Sequence, residues 1–197
     1  MQIRLTAIVS GLAVCVLAAS ASAQNAADVV QRDVNQQNRI EQGLKSGQLT
    51  TKEAGKLERE EGRVDRMEAN ALKDGKMTAA EKQRIERAEN KVSKDIYQDK
   101  HNAQTGNPDS ASSQRMQADV ERNVNQEQRI ENGVKGGSLT NREAANLERG
   151  QARVDRKEAR AGADGHVGAG EQKNIQAAEN RQSRRIHREK HNGRKRD

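Results

Sequence analysis

The chain has 197 residues, of which 33% are charged and 1% aromatic, with no Phe, no Trp, one Tyr and one Pro. So little apolar area borders on what a chain needs to offset its ordering entropy, which argues against a large single-core enzyme domain. The abundance of Ala, Glu, Lys, Arg and Gln and the near absence of Pro point to helix.

The N-terminus reads as a secretory leader over residues 1–23. Arg4 supplies the positive charge, Ile8 to Ala19 the apolar stretch, and Ala21-Ser-Ala23 a small-residue cleavage site. That stretch is too short for a membrane span. Leu12-Ala-Val-Cys15 loosely resembles a lipobox, but Val14 is bulky for the residue before the cut, and cleavage near Ala23 fits better. The mature chain is then free of cysteine, which removes disulfides, thiolate metal sites and cysteine nucleophiles. A periplasmic or secreted location is expected.

Residues 30–102 align without a gap to residues 120–192 at a shift of 90, with roughly half the positions identical. The expected division is a module over 24–102, a Gly-, Pro- and Ser-containing linker over 103–118, a second module over 119–192 and a basic tail over 193–197. Each module reads as three helices. In the first, Val30, Val34, Ile40 and Leu44 mark a stripe from about Ala26 to Leu44. Ala54, Leu57, Val64 and Ala71 mark one from about Thr51 to Leu72. Ile85, Ala88, Val92 and Ile96 mark one from about Ala79 to Lys100. Short turns make the helices antiparallel neighbours. The expected fold is all-α, two tandem copies of a small three-helix module. The apolar seam is thin, so pairing of the modules, homo-oligomerisation or a ligand is expected to complete the fold.

Four joints separate the helices: Lys45-Ser-Gly-Gln-Leu-Thr-Thr-Lys-Glu53, Lys73-Asp-Gly-Lys-Met-Thr-Ala-Ala-Glu81, Lys135-Gly-Gly-Ser-Leu-Thr-Asn-Arg-Glu143 and Ala163-Asp-Gly-His-Val-Gly-Ala-Gly-Glu171. In each, a glycine suits the left-handed end of a helix. A threonine with Glu three places on then suits a capping box. Gly168 stands in place of the threonine in the fourth joint.

These joints resemble degenerate EF-hand loops, and the chain resembles exported bacterial repeat proteins built of such helix-loop-helix units. With Gly75 at the family's central glycine, Asn70, Asp74 and Glu81 fall at ligand positions. With Gly165 there, Asp164 and Glu171 do. The resemblance implies Ca2+ as a ligand of these residues. The third loop position is Leu44, Leu72, Val134 or Gly162, never acidic, which lowers the carboxylate count of every loop.

His187 and His191, four apart on a helix, are a candidate transition-metal pair. The repeated glutamates read as caps or as partners of Lys and Arg at helical spacing. The net charge of +7 is concentrated at the end: residues 24–107 hold 16 basic and 15 acidic side chains, residues 108–197 hold 19 and 14. The stretch from Arg181 to Arg196 suits an envelope phosphate or another anionic surface. Nucleic acid is a poorer partner, because aromatic stacking platforms are absent. No phosphate loop or nucleophile elbow occurs, so the expected role is a non-catalytic structural or binding accessory of the periplasm, with divalent-cation binding as the alternative.

Overall fold

A computed structural model describes the backbone of residues 13–194 and the side chains of residues 25–194. The leader expected over residues 1–23 and the end of the basic tail fall largely outside these residues. Among the described residues the chain is all helical: α1 (Ala13–Lys45), α2 (Thr51–Ala71), α3 (Ala79–Lys100), α4 (Ala111–Lys135), α5 (Asn141–Ala161), a 3-10 turn over Gly162–Asp164, and α6 (Ala169–Lys190). No helix among them is long and apolar enough to cross a membrane.

The corners follow from local chemistry. Gly47, Gly75, Gly137 and Gly165 all have left-handed φ, from 70° to 92°, where any side chain is strained. Thr50, Thr78 and Thr140 then cap α2, α3 and α5. Each hydroxyl accepts from the third amide at 3.2 Å, and each Glu carboxylate accepts from the cap amide at 2.9 Å. At the fourth corner only the return bond exists, from Gly168 N to Glu171 Oε2 at 2.9 Å. The apolar residue before each cap, Leu49, Met77, Leu139 or Val167, is buried.

The segment read as a linker is loop only as far as Ser110. The Ser110 hydroxyl accepts from Ser113 N at 3.1 Å, so residues 111–118 form the first turns of α4. The loop itself is stitched to the first corner, with Gly106 N donating to Gly47 O at 2.8 Å.

The packing joins the halves. The most extensive contacts are α2 with α5 and α1 with α4, across the internal repeat, while α3 covers α1 and α2, and α6 covers α4 and α5. One apolar cluster runs through both halves, from Ala26 on α1 to Ile186 on α6. The helices α2 and α5 run antiparallel: Gly55 meets Gly162 and, further along, Gly62 meets Asp155. A Cβ on Gly55 would stand 2.9 Å from the Gly162 backbone, so the two backbones touch without side chains between them. The thin seam read from the sequence is thus completed by the opposite half.

Side-chain ties recur at the same shift of 90. Arg39 bonds Ser93 Oγ at 2.6 Å as Arg129 bonds Ser183 Oγ at 2.7 Å. Asn102 Nδ2 donates to Glu53 Oε1, and Asn192 Nδ2 to Glu143 Oε1, both at 2.7 Å. The His-Asn pairs ending α3 and α6 therefore anchor those ends to the capping glutamates of α2 and α5.

Candidate metal centre

Charge is sorted by sign across the inner helices. On α2, Glu58, Glu61, Asp65 and Glu68 repeat at intervals of three and four and are buried. Lys52, Lys56, Arg59 and Arg63 repeat the same way on the opposite side and are exposed. On α5 the inward set is Glu148, Gln151, Asp155 and Glu158, and Arg142, Arg153, Arg156 and Arg160 face out. Among the described residues fifteen Asp and Glu side chains are buried and no Lys, Arg or His side chain is. Such a distribution is costly, because charge removed from water needs a partner.

Some of these carboxylates have one. Arg32 Nε meets Glu89 Oε2 at 2.9 Å, and Arg122 Nε meets Glu179 Oε2 at 2.8 Å. Glu53 and Glu143 serve the caps. The innermost group is different. Both oxygens of Asp33, Glu61, Glu68 and Glu148 lack a hydrogen-bond donor.

Three sets of carboxylates gather with ligand oxygens within 4.8 Å of one another: Asp33, Glu68 and Glu89; Asp33, Asp65 and Glu148; and Glu58, Asp155 and Glu158. The second and third each combine residues of both halves. Amide side chains complete the sets. Gln37 Nε2 donates to Glu58 at 3.0 Å, and Asn123 Nδ2 donates to Glu158 at 2.7 Å and to Asp155 at 3.3 Å. Their own oxygens, Gln37 Oε1 and Asn123 Oδ1, are buried without partners. A small cavity of about 50 Å³ reaches Glu58 between Arg59, Gly62, Arg66 and Arg156, roomy enough for water or an ion.

Burial, and after it the neighbouring carboxylates, hold Asp33, Glu61, Glu127, Glu148 and Glu158 well above the usual carboxylate range. Burial pushes Glu58 and Asp65 up to about 7. The couples Glu58–Glu158 and Asp65–Asp155 lie within hydrogen-bond reach. Two carboxylates at that distance require a shared proton or a cation. An all-oxygen set of this kind suits a hard multivalent cation.

The residues singled out by the EF-hand resemblance lie elsewhere. Asn70, Asp74, Asp164 and Glu171 are exposed, and Glu81 is half-buried. Asp74 Oδ1 accepts from Lys76 N at 3.0 Å, Asp164 Oδ1 from His166 N at 2.9 Å, and Glu81 and Glu171 close caps. The second corner is docked on the opposite half, where Asn141 Nδ2 donates to Gly75 O at 2.9 Å, and the fourth is tied to α4 of its own half by Arg115, which donates to Val167 O at 2.9 Å. His187 and His191 are exposed and stacked, ring centroids 4.3 Å apart, with His191 Nδ1 2.7 Å from His187 O. Arg181, Arg184 and Arg188 project outward from α6.

The carboxylate core was not among the residues the sequence pointed to. The signal was present as the segregation of acid and base on opposite sides of one helix, written once in Glu58, Glu61, Asp65 and Glu68 and again at 148, 155 and 158. No family model matches this chain, and neither a curated protein nor a solved structure matches it.

Proposed function

We propose that the protein is a non-catalytic, exported binding protein that holds hard multivalent cations in the carboxylate core between its two halves. In this reading the chain is a tandem duplicate of a three-helix unit, and the cation sites form where the copies meet. One observation carries it: buried carboxylates gathered within 4.8 Å in sets that draw on both copies, with both oxygens of Asp33 and Glu148 lacking a hydrogen-bond donor, in an interior where no Lys, Arg or His residue is buried among the described residues. A cation supplies the missing partner for several oxygens at once. The space beside Glu58 is suited to an ion rather than an organic substrate, which favours binding over catalysis. The helix caps occupy much of the oxygen at the corners, so the core is preferred to the loops as the binding place.

The test is direct. The purified chain is stripped with chelator and titrated with Ca2+, Mg2+, Mn2+ and La3+ by calorimetry, with bound metal counted by elemental analysis. Binding is expected with a rise in melting temperature, about 2.7 kcal/mol of added stability at a hundredfold excess over Kd. Absence of bound metal at millimolar ion, with an unchanged melt, overturns the proposal.

A further inference from the structure

The internal repeat places two constellations in the core, and they are not equal. Under the shift of 90, Asp65 corresponds to Asp155, Glu68 to Glu158, and Glu148 to Glu58. These six acids divide into two matching sets across the α2–α5 contact: Asp65, Glu68 and Glu148 in one, Asp155, Glu158 and Glu58 in the other. The remaining positions differ. Asp33 stands in the first set where Asn123 stands in the second, Glu127 where Gln37 stands, and Gln151 where Glu61 stands.

Asp65 and Asp155 touch where the two sets meet, and the other contacts respect this correspondence. Asp33 gathers with Glu68 and with Asp65 and Glu148, and Asn123 bonds Glu158 and Asp155. Glu127 faces Glu148, and Gln37 bonds Glu58. The first set therefore offers five carboxylates and one amide, Gln151, and the second offers four carboxylates, Glu61 among them, with two amides. Asn123 and Gln37 are not inert filler: each gives its N–H to a carboxylate of its set and keeps an unpartnered buried oxygen there. An amide oxygen is a neutral ligand that fills a coordination position without adding charge.

We propose that the core holds two unequal cation sites, an acid-rich one at Asp33, Asp65, Glu68, Glu148 and Glu127 and an amide-bearing one at Asn123, Asp155, Glu158, Glu58, Glu61 and Gln37, and that the first holds a trivalent hard cation more tightly than the second. This rests on the cation-binding reading above and adds order and charge preference to it. Ligand charge count tunes oxygen sites over orders of magnitude in affinity. The acid-rich site fills first, and the ratio between the two steps is larger for La3+ than for Ca2+.

The experiment is stepwise titration of the full chain with La3+ and with Ca2+, by calorimetry and native mass spectrometry. Two double variants test it, Asp33→Asn with Glu127→Gln and Asn123→Asp with Gln37→Glu. Circular dichroism checks that each is helical in the presence of cation. Asp33→Asn alone is the milder variant, since the second copy already carries Asn at that place. For the natural sequence two La3+ steps are expected, separated on the order of a hundredfold. The first pair of changes weakens the tight step to or below the other, and the second pair tightens the weak step and leaves the tight one in place. Two equal steps, or changes that move both steps alike, overturn the inequality while leaving cation binding standing. No uptake of either ion by the natural sequence overturns both.

Discussion

Raising the pH of the cation-stripped protein from about 5 to about 8 should destabilise it, the reverse of ordinary acid denaturation. The sign follows from the raised carboxyls. Well below pH 4 a buried carboxyl is protonated in both folded and unfolded chains, and its contribution is intact. As pH rises, the unfolded chain ionises first while the folded core retains its protons, so stability falls until the folded group also ionises. Over this window Glu58, moved from 4.5 to about 7, and Asp65, moved from 3.8 to about 7, each account for roughly 2–3 kcal/mol. Together these make about 5 kcal/mol, comparable with the whole stability of a marginal domain. For a chain of this size that is a fall of roughly 10–20 °C in melting temperature. Thermal melts followed by circular dichroism, in chelator at a series of pH values, measure it. A melting temperature that is flat or rises between pH 5 and pH 8 would refute the reasoning, because the carboxyls would then have partners. Adding the bound cation at pH 8 should recover most of the loss.

Further outcomes separate core from corners. Glu68→Gln should weaken the tight step of cation uptake, whereas Glu81→Ala should leave uptake unmoved and cost about 1 kcal/mol as a lost cap, both read by calorimetry and chemical denaturation. Gly162→Ala should cost about 1–3 kcal/mol in urea unfolding, because its Cβ would stand 2.9 Å from Thr51 O and 3.0 Å from Gly55 Cα, backbone atoms that cannot turn aside. Thr140→Ala should cost about 1 kcal/mol, and Gly168→Ala far less, because Gly168 has no hydroxyl to lose.

The corners were legible because their chemistry is local. A left-handed glycine, an apolar residue, a threonine and a glutamate three places on specify a stop and a start without reference to the rest of the chain. The ends of α2 and α3 accordingly fall within a residue of where the sequence places them. The start of α4 was missed although Ser110 is a serviceable cap, because Gly106 and Pro108 gave the surrounding stretch the composition of a flexible connector. The inner acids were missed for a different reason. Glu58 next to Arg59, and Asp65 next to Arg66, read along the chain as neighbouring ion pairs on a solvated helix. Only the partner helix decides which side is inside, and α5 lies some 90 residues away in the sequence. Non-local pairing reversed the usual rule that charge faces water.

The sign-sorted helices also bear on how fast anything reaches the interior. On the proposed reading a cation approaching Glu58 would pass Arg59, Arg66 and Arg156, which line the cavity there. Repulsion from them would slow arrival and departure alike, so a guest would stay long relative to what its affinity alone dictates. Dissolved salt screens those charges over about 8 Å at physiological strength. Ionic strength would thus set the rate of exchange more than its end point, and the arginine coat would act as a latch on what the acids hold.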